Sequence, residues 1–401
     1  MRLGLVGARF AGLDGVSLES AKLAQALARG GHEIAWFAGE IGTGFTPAAV
    51  CDAASFTTAD NGDIERHAFG GGDPDAVRVM VDDAAREIQH ALGRFIDEYE
   101  VDGLIVENAW AIPMQLPLAV AIARVVADTE IATVGHHHDF SWERVRFAQC
   151  TVPDLIEQVF PPALGSVAHV VINSLAQRSL LERRGLESRV LPNVMDFETG
   201  PPPGDAGDEF RRIAGLGPWD TVLLQPTRVI PRKGIELTID LASRMDGDPV
   251  VVVTHPDDLD REYWVALNAL ATDLGVSLRL VDAGRELSAL TGAYAAADLV
   301  CIPSLYEGYG NALVEAVYHR RPVLVNRYSV YTSDIAPLGF CFVEIDGAIS
   351  SEAVAEANQI VVDPKGVDGI VERNFAIGES ALSYSSALSV IEQSFATITS
   401  K

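Results

Sequence analysis

The chain has 401 residues, and one domain usually takes about 100–200, so two domains are expected. It carries 30 Lys and Arg against 56 Asp and Glu, a net charge of −26, which repels nucleic-acid phosphates and anionic lipid surfaces. Any anionic ligand would therefore need a local basic pocket, while the 48% of hydrophobic residues are ample for large cores and argue against disorder.

Residues 3–6 form a short apolar run suited to a buried parallel strand. A loop with Gly7, Gly12 and Gly15 follows. Residues 17–29 then place Leu18, Ala21, Ala24, Leu27 and Ala28 on one helical face, and Gly30-Gly31 ends the helix. Residues 33–38 read as the next strand, which completes a βαβ unit and implies a parallel sheet. Residues 104–106, 131–134 and 167–172 continue the pattern, with helical stretches between them. The Pro- and Gly-rich stretch 199–207 reads as a loop. A second series of strands follows at 221–224, 250–253, 278–281, 299–302 and 323–325, and a helix is expected over 378–400. This is an α/β chain of two doubly wound, Rossmann-like parallel-sheet domains, expected to face a cleft. We expect one domain over 1–192, a second over 193–377, and a C-terminal helix over 378–401 that packs back toward the first.

No uncharged apolar run reaches the ~18 residues that suggest a membrane span, and the longest candidate, 116–127, is broken by Arg124. The apolar stretch near the N-terminus is too short for a signal peptide. Cys51, Cys150, Cys301 and Cys341 lie far apart with no C-x-x-C pair, which fits a reducing cytoplasm. We expect a cytoplasmic protein with no nucleic-acid partner and no stable membrane association; the sequence leaves its oligomeric state open.

Residues 301–325 hold the most chemistry. A buried strand ends at Pro303, a loop bearing Glu307, Gly308, Tyr309 and Gly310 follows, and a helix opens near Asn311 with Ala312, Leu313 and Glu315 in its first turns. Ligands of open α/β sheets sit at the carboxyl ends of strands, and a helix N-terminus offers N–H groups to an anion. Taken alone, Glu307 and Glu315 could also be an ordinary loop glutamate and a surface helix glutamate, though a shared ligand is the favoured reading. Residues 225–241 place Arg228 and Lys233 about a loop that leads into a helix near Ile235, a local site for a diphosphate in an otherwise acidic chain. A solvated basic turn is the plain alternative.

These segments together resemble retaining glycosyltransferases of family 4, which have the GT-B fold. The carriers are Pro303-Ser304, Glu307-Gly308-Tyr309-Gly310 and Glu315, then Arg228 and Lys233-Gly234. Residues 172–174 with 191–196, and Gly15-Val16 with the helix after it, match as well. The resemblance spans almost the whole chain. It implies a nucleoside-diphosphate sugar donor, held as a substrate with no tightly bound cofactor. Arg228 and Lys233 would hold the diphosphate, Glu315 the ribose hydroxyls and Glu307 the transferred sugar. Backbone N–H groups of 308–313 would approach sugar and phosphates, and Gly15 would let the first loop come close to the diphosphate. It also implies a His at the end of an N-domain strand, beside the reacting sugar, and His138 is the positional match.

His136, His137 and His138 in a row invite a metal reading. Side chains alternate along an extended chain, so His136 and His138 could share a side and His137 could not. With no Cys or second His cluster to complete a set, we expect no metal. Asp139, Trp142, Arg144 and Arg146, with Glu143 among them, could form part of the acceptor side; packing and surface ion pairs would explain them equally well. The run from His138 to Arg144 resembles a subgroup that builds small glycosides such as mannosylglucosylglycerate, in which Arg144 and Arg146 would meet an acceptor carboxylate.

Other classes stay open. An inverting metal-dependent transferase would want Asp-x-Asp after a strand; Asp73-Pro74-Asp75 and Asp258-Leu259-Asp260 match the letters without that setting. A flavin or nicotinamide enzyme would want G-x-G-x-x-G, and Arg9 stands where the middle glycine belongs. An epimerase or hydrolase of the same fold, or a non-catalytic sugar-binding protein, remains an alternative.

Overall fold

The computed structural model describes residues 1–12, 14–202, 206–256, 259–283 and 287–399. Asp258 of the second Asp-x-Asp triplet and residues 203–205 of the expected loop lie outside these. The chain divides into two compact units, Met1–Val194 with Tyr384–Lys401, and Met195–Ser383.

The first unit runs β1 (Arg2–Phe10), α1 (Gly15–Arg29), β2 (Glu33–Ile41), β3 (Ala48–Val50), α2 (Ala59–Phe69), α3 (Pro74–Glu98), β4 (Gly103–Glu107), α4 (Leu116–Thr129), β5 (Thr133–His137), α5 (Pro153–Val159), β6 (Val167–Val171), α6 (Ser174–Arg184) and β7 (Ser188–Val190). Among the described residues its strands form one parallel sheet in the order β3-β2-β1-β4-β5-β6-β7. The order reverses between β1 and β4, and that is where loops leave a crevice for ligands. The helices follow from stripes of apolar residues. Val77, Val81, Ala85, Ile88, Leu92 and Phe95 are the buried residues of α3, at steps of three and four. Pro74 opens that helix and the Asp73 carboxylate caps it, so the Asp73-Pro74-Asp75 triplet is a helix start and follows no strand.

The second unit runs α7 (Ala206–Ile213), β8 (Val222–Arg228), α8 (Ile235–Arg244), β9 (Val250–His255), α9 (Arg261–Leu274), β10 (Ser277–Leu280), α10 (Leu287–Ala296), β11 (Leu299–Ile302), α11 (Asn311–Tyr318), β12 (Val323–Asn326), β13 (Val343–Ile345), α12 (Ser351–Val362) and α13 (Pro364–Ala381). Its described strands form a parallel sheet in the order β10-β9-β8-β11-β12-β13, reversing between β8 and β11. Strands β11 and β12 are buried along their length and β9 as far as Thr254, as strands covered on both faces must be.

Two expectations need correction. Helix α7 begins at Ala206, inside the stretch read as a loop. The single helix expected from 378 is two: α13 ends at Ala381, and α14 (Tyr384–Thr399) starts anew. Leu382 and Ser383 between them are held by Met195, whose N–H donates to the Leu382 carbonyl at 2.9 Å and which bridges to Ser383. Helix α14 belongs to the first unit, with Ala387, Ile391 and Phe395 packed into the same core as Leu3, Leu5, Leu27 and Trp36.

Candidate active site

In the second unit, the two candidate segments meet at the reversal between β8 and β11. Strand β8 runs out to Arg228, with an irregular register between Gln225 and Arg228. A 3-10 turn, Pro231–Lys233, then leads through Gly234 into α8. Gly234 sits at φ 62°, and a Cβ there would come 2.6 Å from the Pro303 carbonyl oxygen. Only glycine lets this turn lie against the end of β11. The turn is also locked from behind: Gln225 Nε2 donates to the Lys233 carbonyl at 2.8 Å, and Thr238 donates to Gln225 Oε1 at 2.6 Å.

That packing puts Lys233 and Glu307 side by side. The Lys233 ammonium contacts Glu307 Oε1, and Arg232 Nη1 donates to Glu307 Oε2 at 3.1 Å. Burial alone would raise the Glu307 pKa; the Lys233 and Arg232 charges overcome it and hold the carboxyl below its ordinary value. Burial pushes Lys233 below its own ordinary value, with Glu307 opposing the shift. Arg228 lies exposed at the strand end, and its charge is felt at Lys233.

The loop then reaches α11. Gly310, at φ 113°, is the cap residue, so no side chain caps this helix. Tyr328 Oη donates to the Tyr309 carbonyl at 2.7 Å and fixes the turn. The Tyr309 and Leu313 side chains are buried, and the Leu313 N–H donates to the Gly310 carbonyl at 3.0 Å. Glu315 accepts a 2.8 Å hydrogen bond from Tyr294 of α10, and the Tyr294 ring is stacked on His319. Sequence reasoning missed Arg232, Tyr294 and Tyr328. Arg232 was visible beside Lys233; the two tyrosines lie outside both motifs and meet them only through folding.

In the first unit, the parallel register pairs Glu107 at the end of β4 with His136 on β5. His138, two residues on, turns to the same side. Glu107 Oε2 lies 3.0 Å from His136 Nδ1 and 3.3 Å from His138 Nε2. His137 points the other way and meets His169 at 3.0 Å. Burial would raise the Glu107 pKa, yet the two imidazoles bring it down to about 2. An ionised carboxylate only accepts, so both imidazoles donate to it. Burial would lower the His138 pKa, but Glu107 outweighs it and holds His138 above its ordinary value. The backbone N–H of His138 donates to Asn108 Oδ1 at 2.9 Å. Glu107 and Asn108 thus fix His138 at ring and backbone.

Glu107 corrects the reading that nothing completes a donor set here: its carboxylate and the two imidazoles offer three atoms within 4.8 Å of one another. Both imidazoles are turned to that carboxylate, and His136 Nε2 is buried with no partner among the described residues.

The remaining first-unit residues are engaged within the protein. Arg144 donates through Nε to Asp139 Oδ2 at 2.6 Å, and Asp139 also accepts from Asn108. Arg146 pairs with Glu65 at 3.3 Å. Trp142 stacks on Phe140 and donates to Ser179. Gly15 opens α1, where Asp14 already accepts from the N–H groups of Val16 and Ser17, and an added Cβ would meet nothing within 4 Å. A ligand would be admitted at Gly15 by space, not by the helix N–H groups.

Residues 208–365 match the family "Glycosyl transferases group 1". Over 94% of its length the chain is 32% identical to the mannosylglucosylglycerate synthase of Thermotoga maritima, covering 96% of that protein. The chain belongs to the group 1 glycosyltransferases. It is 30% identical to the mannosylglucosylglycerate synthase of Petrotoga mobilis, covering 95% of this chain and 98% of that one. The structure of Anabaena Alr3699/HepE in complex with UDP and glucose is 17% identical and aligns with a TM-score of 0.67, over 99% of this chain and 100% of that one, which shows a shared fold. The fold of this glycosyltransferase is GT-B, and no described helix is long and apolar enough to cross a membrane.

Proposed function

We propose that this glycosyltransferase is retaining and of family 4, and moves a hexose from a GDP- or UDP-sugar to a hydroxyl of a small soluble acceptor, a sugar acid such as glucosylglycerate. The observation that carries the donor half is the pair of cations, Lys233 and Arg232, gathered on Glu307 beside Arg228 at the strand reversal of the second sheet, in a chain of net charge −26. Cations are concentrated there against the trend of the whole molecule, at the place where open α/β sheets bind ligands. The full-length likeness to two mannosylglucosylglycerate synthases supports the acceptor half.

Arg228, Lys233 and the start of α11 stabilise the charge that grows on the leaving diphosphate, so the transfer is metal-independent. Glu307 binds the transferred sugar, Glu315 the ribose, and the 308–313 backbone the phosphates. His138 hydrogen-bonds the reacting sugar, and Gly15 makes room for the diphosphate. Asp139, Trp142, Arg144 and Arg146 belong to the acceptor side, where an acceptor carboxylate shares Arg144 with Asp139. The acceptor hydroxyl attacks the anomeric carbon on the face the diphosphate leaves, and its proton passes to the departing phosphate oxygen, so no protein nucleophile is required. Free cysteines among the described residues fit a cytoplasmic enzyme.

A thermal-shift screen of UDP-, GDP- and ADP-sugars tests the donor, since a ligand at ~100 times its Kd adds about 2.7 kcal/mol. One nucleotide class should raise Tm, and that donor with glucosylglycerate should give a product whose anomeric configuration, read by NMR, matches the donor. No shift with any nucleotide sugar, or an inverted product, defeats the proposal.

A further inference from the structure

The proposed roles of Lys233 and Glu307 conflict in one respect. The ammonium assigned to the diphosphate is already engaged with the carboxylate assigned to the sugar. A lysine is a point charge on a flexible stem and can swing from one anion to the other. If it does, Glu307, 11% exposed in its side chain, loses the partner on Oε1, and an uncompensated buried carboxylate does not hold its place.

Arg232 stands on the other oxygen. Its Nη1 donates to Glu307 Oε2 at 3.1 Å and to the Tyr306 carbonyl at 3.1 Å. Its guanidinium lies 5.1 Å from the centre of the Tyr306 ring. Its carbonyl accepts from the Leu305 N–H at 2.9 Å. One residue therefore grips the Leu305–Tyr306–Glu307 segment by carbonyl, planar cation and side-chain donor. A guanidinium so stacked and shared cannot turn away without breaking several contacts at once.

We infer that Arg232 is the positioning residue for Glu307: it holds the carboxylate aimed at the donor sugar when Lys233 turns to the diphosphate. This deepens the donor reading above and rests on it. Lys233 then serves the nucleotide half of the donor, and Arg232, acting through Glu307, serves the sugar half.

The test is calorimetric, on the full chain. GDP and GDP-mannose, then UDP and UDP-glucose, are titrated into wild type, Arg232→Gln, Glu307→Gln and the double variant, with Tm and circular dichroism as folding controls. The readout is the factor by which the sugar improves affinity over the bare nucleotide. In Arg232→Gln that factor should fall ~10-fold, within the range for side chains in contact, while affinity for the bare nucleotide changes much less. The double variant should match Glu307→Gln alone, since Arg232 acts through that carboxylate. Equal weakening of nucleotide and nucleotide sugar by Arg232→Gln would overturn the inference and make Arg232 a further phosphate cation, leaving the donor reading intact. Losses that multiply in the double variant would overturn it too. Failure of wild type to bind any of the four would sink the donor reading and the inference together.

Discussion

Two buried carboxylates are held ionised by different means. Glu307 has an ammonium and a guanidinium, from Lys233 and Arg232. Glu107 has two imidazoles, and it holds that of His138 above its ordinary value. The consequence is pH-dependent stability. Glu107 is depressed from 4.5 to about 2 in the folded chain, so its contribution is present above pH 4.5 and is lost as pH falls toward 2. His138 has the opposite sign: its contribution is complete below its unfolded value of 6.5 and is lost as pH rises through its elevated folded value. Glu107→Ala should cost roughly 3–5 kcal/mol in denaturant melts at neutral pH, as breaking a buried ion pair does, and should flatten the alkaline slope. An unchanged melt would mean that the imidazoles do not depend on it. Lys233→Ala should cut kcat by ~10² or more, as loss of one oxyanion-type donor does; turnover near wild type would remove Lys233 from the leaving-group role.

At the scale of elements, the turn from β8 into α8 works because two tight conditions fall on one residue. Gly234 has a left-handed φ of 62° and faces the Pro303 carbonyl at a distance no side chain tolerates. Gly234→Ala should lower stability by about 1–3 kcal/mol and loosen the turn that carries Lys233, so Tm and donor affinity should fall together. A fall in Tm alone would separate the turn from the site. The sequence told the long elements well, because βαβ periodicity with buried apolar strands is a strong local signal. It missed β3, β7 and β13, each three residues long, since so short a run has no period to read. It joined the end of α13 to α14 because no Pro or Gly marks the break. The break is made by Met195, nearly 190 positions away, whose N–H takes the Leu382 carbonyl.

For the whole molecule, the chain leaves the first unit at Val194 and returns to it at Tyr384. Tyr384, Ala387, Ile391 and Phe395 of α14 are buried in that unit's core. Removing residues 384–401 exposes their partners, and at roughly 1.5–3 kcal/mol for each large apolar side chain the loss rivals a domain's usual margin of about 5–15 kcal/mol. The truncated chain should lose the cooperative transition of the first unit in calorimetry while the second still melts; an intact first transition would show α14 to be dispensable. The local signals, apolar period, glycine at a turn and cations before a helix, were enough to read two doubly wound sheets and to single out Arg228 and Lys233 as a local cationic pair, while Glu307 and Glu315 were assigned roles only through the family resemblance. They depend on neighbours in sequence. What surrounds those residues depends on neighbours in space: Glu107 reaches His138 through strand register, Arg232 reaches Glu307 through a turn laid against the end of β11, and Tyr294 reaches Glu315 from another helix. Only the packed fold decided those contacts, because hydrogen bonds and charge act over a few ångströms and the chain brings these groups within that range only once its sheets have formed.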